Sequence, residues 1–248
     1  MGMLSILWIV FLGWMAGGVV NYGSDVLPRY RSFTTPNCTQ CGESLPFYTA
    51  LIPVICPVCG KRPSKRTWIV FSAGVILSIV LWYIPPVRLG YYGGLLWLTF
   101  FGMVVVIDIE HRLILHPVSI VGAVLGLTHG VILHGFRQTL LGGAFGFLVM
   151  LFFYYAGIFF VNAMARIRDI ETDEVALGFG DVNLAGIIGL LLGWPGITAG
   201  LVIAILLGGL VSGLYLGLRF LGGKYTAFEA LPYGPFLVLS TVYLLYIA

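Results

Sequence analysis

Long apolar stretches without a single Asp, Glu, Lys or Arg alternate with short charged ones along this chain. The charge-free stretches cover 1–24, 67–87, 89–107, 113–136, 138–165, 182–218 and 230–248. A hydrocarbon core about 30 Å thick takes roughly 20 apolar residues per helix, so each stretch predicts a membrane helix. The stretch 182–218 is too long for one ordinary span, and Gly193-Trp194-Pro195-Gly196 in its middle reads as a turn. Dividing it there predicts one helix from about Val175 to Gly193, carrying Asp181, and another from about Ile197 to Leu218. The expected fold is therefore all-α, a polytopic membrane protein of about eight transmembrane helices with a small cytoplasmic zinc-binding insert.

Composition and charge narrow this picture. Of 248 residues, 59% are apolar and 9% charged, against about 45–50% and about 25% in a soluble domain, which excludes a water-soluble globule. A net charge of +3 gives no reason to expect nucleic acid as a partner; membrane lipid covers most of the surface. Short cytoplasmic loops are rich in Lys and Arg. With eight spans and both termini outside, Arg29, Arg31, Lys61, Arg62, Lys65, Arg66, Arg112, Arg166, Arg168, Arg219 and Lys224 are cytoplasmic, leaving only Arg88 and Arg137 external. All 10 acids then fall on the cytoplasmic side. The first span has no basic residue ahead of it and positive charge behind it, the pattern of a retained anchor rather than a cleaved signal peptide. The expected location is the inner or plasma membrane.

Three regions follow: a first transmembrane helix over 1–24, a cytoplasmic four-cysteine insert over 25–66, and a seven-helix membrane domain over 67–248. The insert holds Pro28, Pro36, Pro46, Pro53, Pro57 and Pro63 and all 4 cysteines, so it is not a membrane helix. Cys38-Thr-Gln-Cys41 and Cys56-Pro-Val-Cys59 have the spacing of a four-thiolate zinc site, and Gly42 and Gly60 follow the pairs where the backbone must turn tightly. Two disulfides are the alternative, disfavoured because cytoplasmic thiols stay reduced. A closed site leaves the metal no open position, so zinc is expected to be structural. The basic residues Lys61, Arg62, Lys65 and Arg66 are expected to set topology and meet lipid headgroups.

Two acids stand out because a carboxylate in or beside a membrane span is costly. Asp108 ends the run Val104-Val-Val-Ile107, and Asp181 lies in Gly178-Phe179-Gly180-Asp181. Both are expected at cytoplasmic helix ends. Two carboxyl groups that meet in a poorly solvated place share one proton, the arrangement of an aspartic-protease pair. Gly178 and Gly180 are expected to admit an extended substrate strand. Taken singly, Asp108 can instead pair with Arg112 one turn on, and Asp181 can simply sit at a favourable helix N-terminus. Glu110 and His111 are expected in the following loop.

These residues resemble the bacterial type IV prepilin peptidases. The resemblance rests on Gly17-Gly18-Val19-Val20-Asn21 through Leu27-Pro28-Arg29, the paired cysteines, Ile107-Asp108-Ile109-Glu110-His111-Arg112, Glu174 through Gly178-Phe179-Gly180-Asp181, and Pro232-Tyr233-Gly234-Pro235. It implies Asp108 and Asp181 as the catalytic pair and type IV prepilins or pseudopilins with short basic leaders as substrates. It also implies N-methylation of the new terminus with S-adenosylmethionine, for which the cysteine insert is the associated region. Asp169, Glu171, Asp173 and Glu174 form an acidic cluster suited to a basic leader, Glu174 above all. Two other readings stay open: a different GxGD intramembrane aspartic protease, and a non-catalytic scaffold or transporter with a zinc-bearing cytoplasmic knob.

Overall fold

A computed structural model describes residues 3–38, 40–168, 178–221 and 232–247. Among them are eight α-helices: α1 (Met3–Tyr30), α2 (Lys65–Tyr83), α3 (Gly90–His111), α4 (His116–His134), α5 (Phe136–Arg168), α6 (Phe179–Leu192), α7 (Gly196–Leu221) and α8 (Gly234–Ile247). Six are long and apolar enough to cross a membrane, making this a multi-pass membrane protein. The other two, α6 and α8, have 14 residues each, about 21 Å of helix, short of a 30 Å hydrocarbon core. The expectation of eight helices thus matches the described fold, while full spanning length holds for six.

The helix boundaries have local causes. Ser64 caps α2, its side chain accepting from the Thr67 amide at 3.2 Å. Pro117 occupies the first turn of α4, where its missing N–H costs nothing. The turn expected at Gly193 to Gly196 is present: α6 ends at Leu192, Gly193 takes φ +64°, and α7 starts at Gly196. The first helix does not stop at residue 24. It continues to Tyr30 and carries Asp25, Pro28 and Arg29. The charge at position 25 does not end the helix because Arg66 Nη2 pairs with Asp25 Oδ1 at 2.6 Å. Arg31, at φ 53°, closes the helix, its amide donating to the Leu27 carbonyl.

The chain divides into two compact units, Met1–His111 and Arg112–Ala248. In the first, α1 packs against α2 through small residues. A Cβ on Gly13 would come within 2.7 Å of Ser78 Cβ, and one on Gly17 within 2.9 Å of the Phe71 backbone, so only glycine permits this approach. The fully buried Ser78 hydroxyl donates to the Ile9 carbonyl at 2.9 Å and meets the Tyr91 hydroxyl at 2.8 Å, tying α1, α2 and α3 together. Trp14 stacks on Phe71 and donates through Nε1 to the Leu51 carbonyl, anchoring the insert on α1.

In the second unit α6 is the centre. Val182, Leu184, Ala185, Ile187, Ile188 and Leu191 are all buried, as expected of a helix apolar on every side. Its neighbours come close because they too are poor in side chains: a Cβ on Gly126 of α4 would lie 2.9 Å from the Ile187 carbonyl oxygen.

Candidate active site

Asp108 lies in the last turn and a half of α3, on the face that carries Phe101 and Val104. All three are buried, and Asp108 is 5% exposed. A carboxylate on a face otherwise made of packed hydrocarbon carries a large desolvation cost that packing does not repay, which marks a functional group. Glu110 and His111, expected in a loop, belong to the same helix end. Glu110 Oε2 accepts from Arg66 Nη1 at 2.8 Å, so one guanidinium bridges Asp25 on α1 and Glu110 on α3. Arg66, expected at the lipid headgroups, is instead a tie between three helix ends. Its forked donors reach two carboxylates at once, which a lysine ammonium does less well.

Asp181 lies in the first turn of α6 and is 8% exposed. Its amide donates to the Gly178 carbonyl at 3.1 Å. Behind it, Leu184 and Ala185 are wholly buried, so the carboxyl stands at the edge of the unit's core. The two glycines of the motif differ in duty. A Cβ on Gly180 would stand 2.6 Å from Ile114 Cβ and 3.0 Å from the Ile114 amide nitrogen, whereas one on Gly178 would meet only Asp181 Oδ2, at 3.6 Å. Gly180 is therefore required for the α6 start to lie against the segment before α4. Overpacking of this kind costs about 1–3 kcal/mol. Gly180→Ala should lower the thermal midpoint of the purified protein and Gly178→Ala should leave it in place; equal midpoints would show that Ile114 yields.

Asp108 belongs to the first compact unit and Asp181 to the second, and both are buried. Glu174, with Asp169, Glu171 and Asp173, lies outside the described residues. Tyr233, noticed in the sequence only as part of a motif, is a neighbour of Asp181. Burial pushes its phenol up to about 12, and the charge of Asp181 adds to the rise. The phenol therefore stays neutral throughout the physiological range.

The cysteine insert is built from two copies of one turn. The Gly42 amide donates to the Cys38 carbonyl and the Gly60 amide to the Cys56 carbonyl, each at 3.0 Å, with the glycines at φ +74° and +70°. The Cys38 amide donates to the Glu43 carbonyl and the Cys56 amide to the Lys61 carbonyl, closing each turn from the other side. All four thiols are free, and their sulfurs lie within 4.8 Å of one another. Cys38 and Cys59 Sγ are 3.6 Å apart, Cys41 and Cys56 Sγ 3.7 Å. Tetrahedral zinc with bonds of about 2.3 Å needs sulfurs about 3.8 Å apart, so the cluster can hold such a metal. The backbone amides of Cys41 and Gln40 lower the Cys38 thiol to about 6, and those of Cys59 and Val58 lower Cys56. Amides aimed at sulfur favour the thiolate, the form that binds metal, at Cys38 and Cys56, while burial and the neighbouring thiols raise Cys41 and Cys59.

Residues 94–213 match the model of the type IV leader peptidase family, a stretch that contains both Asp108 and Asp181. Over this stretch the chain is similar to that family. Comparison with curated proteins and with solved structures returns no significant match. The likeness supports a leader-peptidase-like membrane protease, and the matched stretch begins after the cysteine insert.

Proposed function

We propose that this membrane peptidase removes short basic leaders from type IV prepilins or pseudopilins at the cytoplasmic face of the plasma membrane, with Asp108 and Asp181 as an aspartic pair. The reading is carried by one observation: the family-matched stretch holds two carboxylates buried against packed apolar side chains at helix ends. When the pair meets around a substrate, one member is ionised and draws a proton from water as the water oxygen attacks the peptide carbonyl carbon. The other is protonated and donates to the carbonyl oxygen. Glu174 and its acidic neighbours receive the basic leader, and Gly178 and Gly180 keep the approach to Asp181 free of side chains. Zinc held by Cys38, Cys41, Cys56 and Cys59 folds the insert.

The second proposed activity is methylation of the new terminus, and the first unit has a cavity suited to its donor. A cleft of about 560 Å³ is enclosed by the end of α1, the insert, the start of α2 and the end of α3. Asn21 and Ser24, 4% and 1% exposed, line it, and each has a buried side-chain oxygen without a hydrogen-bond partner among the described residues. The lining carries the carboxylates of Asp25 and Glu110, which suit a cationic centre, and Arg29, Lys61 and Arg62 beside the paired Arg66, which suit a carboxylate. These residues fit S-adenosylmethionine, which supplies an electrophilic methyl group when bound.

Incubation of the purified protein with a prepilin-like peptide and S-adenosylmethionine tests both activities by mass. The expected product lacks the leader and is heavier by one methyl group. A product that lacks the leader but carries no methyl leaves a protease alone, and preferential cleavage of a generic signal peptide would replace the substrate class.

A further inference from the structure

Tyr233 precedes α8 by one residue, and its carbonyl accepts from the Phe236 amide at 3.0 Å, so its backbone is part of the helix start. Its ring is held on two sides. A Cβ on Gly208 of α7 would lie 3.1 Å from Tyr233 Cε2, and the Phe236 ring centroid is 6.3 Å away. The phenolic oxygen at the end of this fixed ring is buried and has no hydrogen-bond partner among the described residues. Leaving a buried hydroxyl unsatisfied costs about 1–3 kcal/mol, so such a group calls for a role.

The helix register places that hydroxyl at the level of Asp181. Gly200 of α7 faces both Leu192, the last residue of α6, and Leu244, near the end of α8. The C-terminal ends of α6 and α8 therefore lie at one level, and both helices run away from it in the same sense. Asp181 precedes Leu192 by 11 residues and Tyr233 precedes Leu244 by 11, about 16 Å of helix in each case. The two side chains thus lie toward the same end of one compact unit, and the charge of Asp181 adds to the rise of the phenol's pKa.

We propose that the Tyr233 hydroxyl is a catalytic hydrogen-bond donor, giving its hydrogen bond to the carbonyl oxygen of the peptide bond under attack beside Asp181. The inference rests on the reading of Asp181 as one of the two catalytic carboxylates. As the water oxygen bonds to the carbonyl carbon, the carbonyl π pair moves onto oxygen, and the water proton passes to the ionised carboxylate. Tyr233 keeps its own proton throughout; its hydrogen bond strengthens as negative charge grows on the oxygen, which the protonated carboxylate then neutralises. On collapse one hydroxyl of the gem-diol returns its proton to the carboxylate that had donated, the carbonyl re-forms, the C–N bond breaks, and the carboxyl that took the water proton passes it to the leaving amine. A fixed neutral donor with no competing partner is suited to this task because nothing must be broken before it acts.

The test is Tyr233→Phe in the full-length protein, with steady-state cleavage of a prepilin-like peptide and a thermal midpoint measured on the same preparation. Removal of one such donor costs about 10²-fold in kcat, and KM should change little because the bond strengthens in the transition state. The midpoint should hold or rise, since phenylalanine removes an unsatisfied oxygen and keeps the ring. An unchanged kcat, or a KM increase at constant kcat, overturns the proposal. A lowered midpoint also overturns it, because it shows the hydroxyl spent on holding the fold. Asp181→Asn is assayed beside it: inactive Asp181→Asn with fully active Tyr233→Phe removes the role of Tyr233 alone, whereas active Asp181→Asn removes the catalytic pair and this proposal with it.

Discussion

Asp108→Asn and Asp181→Asn are each expected to abolish leader cleavage. Asparagine keeps the size and planarity of the carboxylate but neither takes up a proton from water nor donates an acidic one, so either change removes one half of the acid and base chemistry. General acid–base groups contribute about 10²–10⁴-fold each. In the proposed mechanism the two act on the same water and the same carbonyl, so the double variant should be little worse than either single one. Both side chains are buried at helix ends, and replacing a buried carboxylate with a neutral isostere relieves desolvation, so the variants should fold at least as well as the parent. The measurement is cleavage of a prepilin-like substrate in membranes, read by product mass, with thermal midpoints alongside. Full cleavage by either single variant would sink the aspartic pair.

Cys38→Ser or Cys56→Ser has the second large effect, on metal content and on the insert rather than on cleavage. Structural zinc sites supply about 10–16 kcal/mol of apparent binding free energy, more than the few packing contacts of a proline-rich loop replace. Two backbone turns centred on Gly42 and Gly60 hold the thiols, and Cys38 and Cys56 are the buried pair. Loss of one buried thiolate should release the metal and expose the chain around Lys61, Arg62 and Lys65 to trypsin. Zinc per chain, measured by elemental analysis, should fall from about one to near zero. The same walls enclose the cleft that includes Asn21 and Ser24, so methyl transfer should fall with the zinc while cleavage is reduced far less. Undiminished zinc in the purified variants would show that the thiols do not hold it.

The parts of the molecule legible in the sequence are those with local causes. Charge-free runs predict helices because a membrane helix satisfies its own backbone and needs only length and apolarity. The turn at Gly193 to Gly196 follows from the Gly-Trp-Pro-Gly string, with Gly193 at positive φ, and the cysteine turns follow from the Cys-x-x-Cys-Gly repeat. Asp108 and Asp181 were conspicuous because charge is scarce in this chain, 9% of residues. Where local signals misled, a distant residue had changed the meaning of a near one. Asp25 looked like the end of the first helix, yet Arg66 neutralises it and α1 continues to Tyr30. Glu110 looked like a loop residue, yet it accepts from the same guanidinium at the end of α3.

By itself, then, the sequence determined an all-helical membrane protein, the position of the tight turn between α6 and α7, the four-thiol cluster and the two acids that a bilayer would not tolerate idly. The tertiary structure decided which partner each polar group has. It set Arg66 between two carboxylates 41 and 44 residues away, fixed Gly180 against Ile114, and put Tyr233 in the same compact unit as Asp181. Hydropathy and turn chemistry act within a few residues and can be read in order along the chain. Hydrogen bonds and close packing depend on helix register between elements far apart in sequence, and that register exists only once the helices have packed.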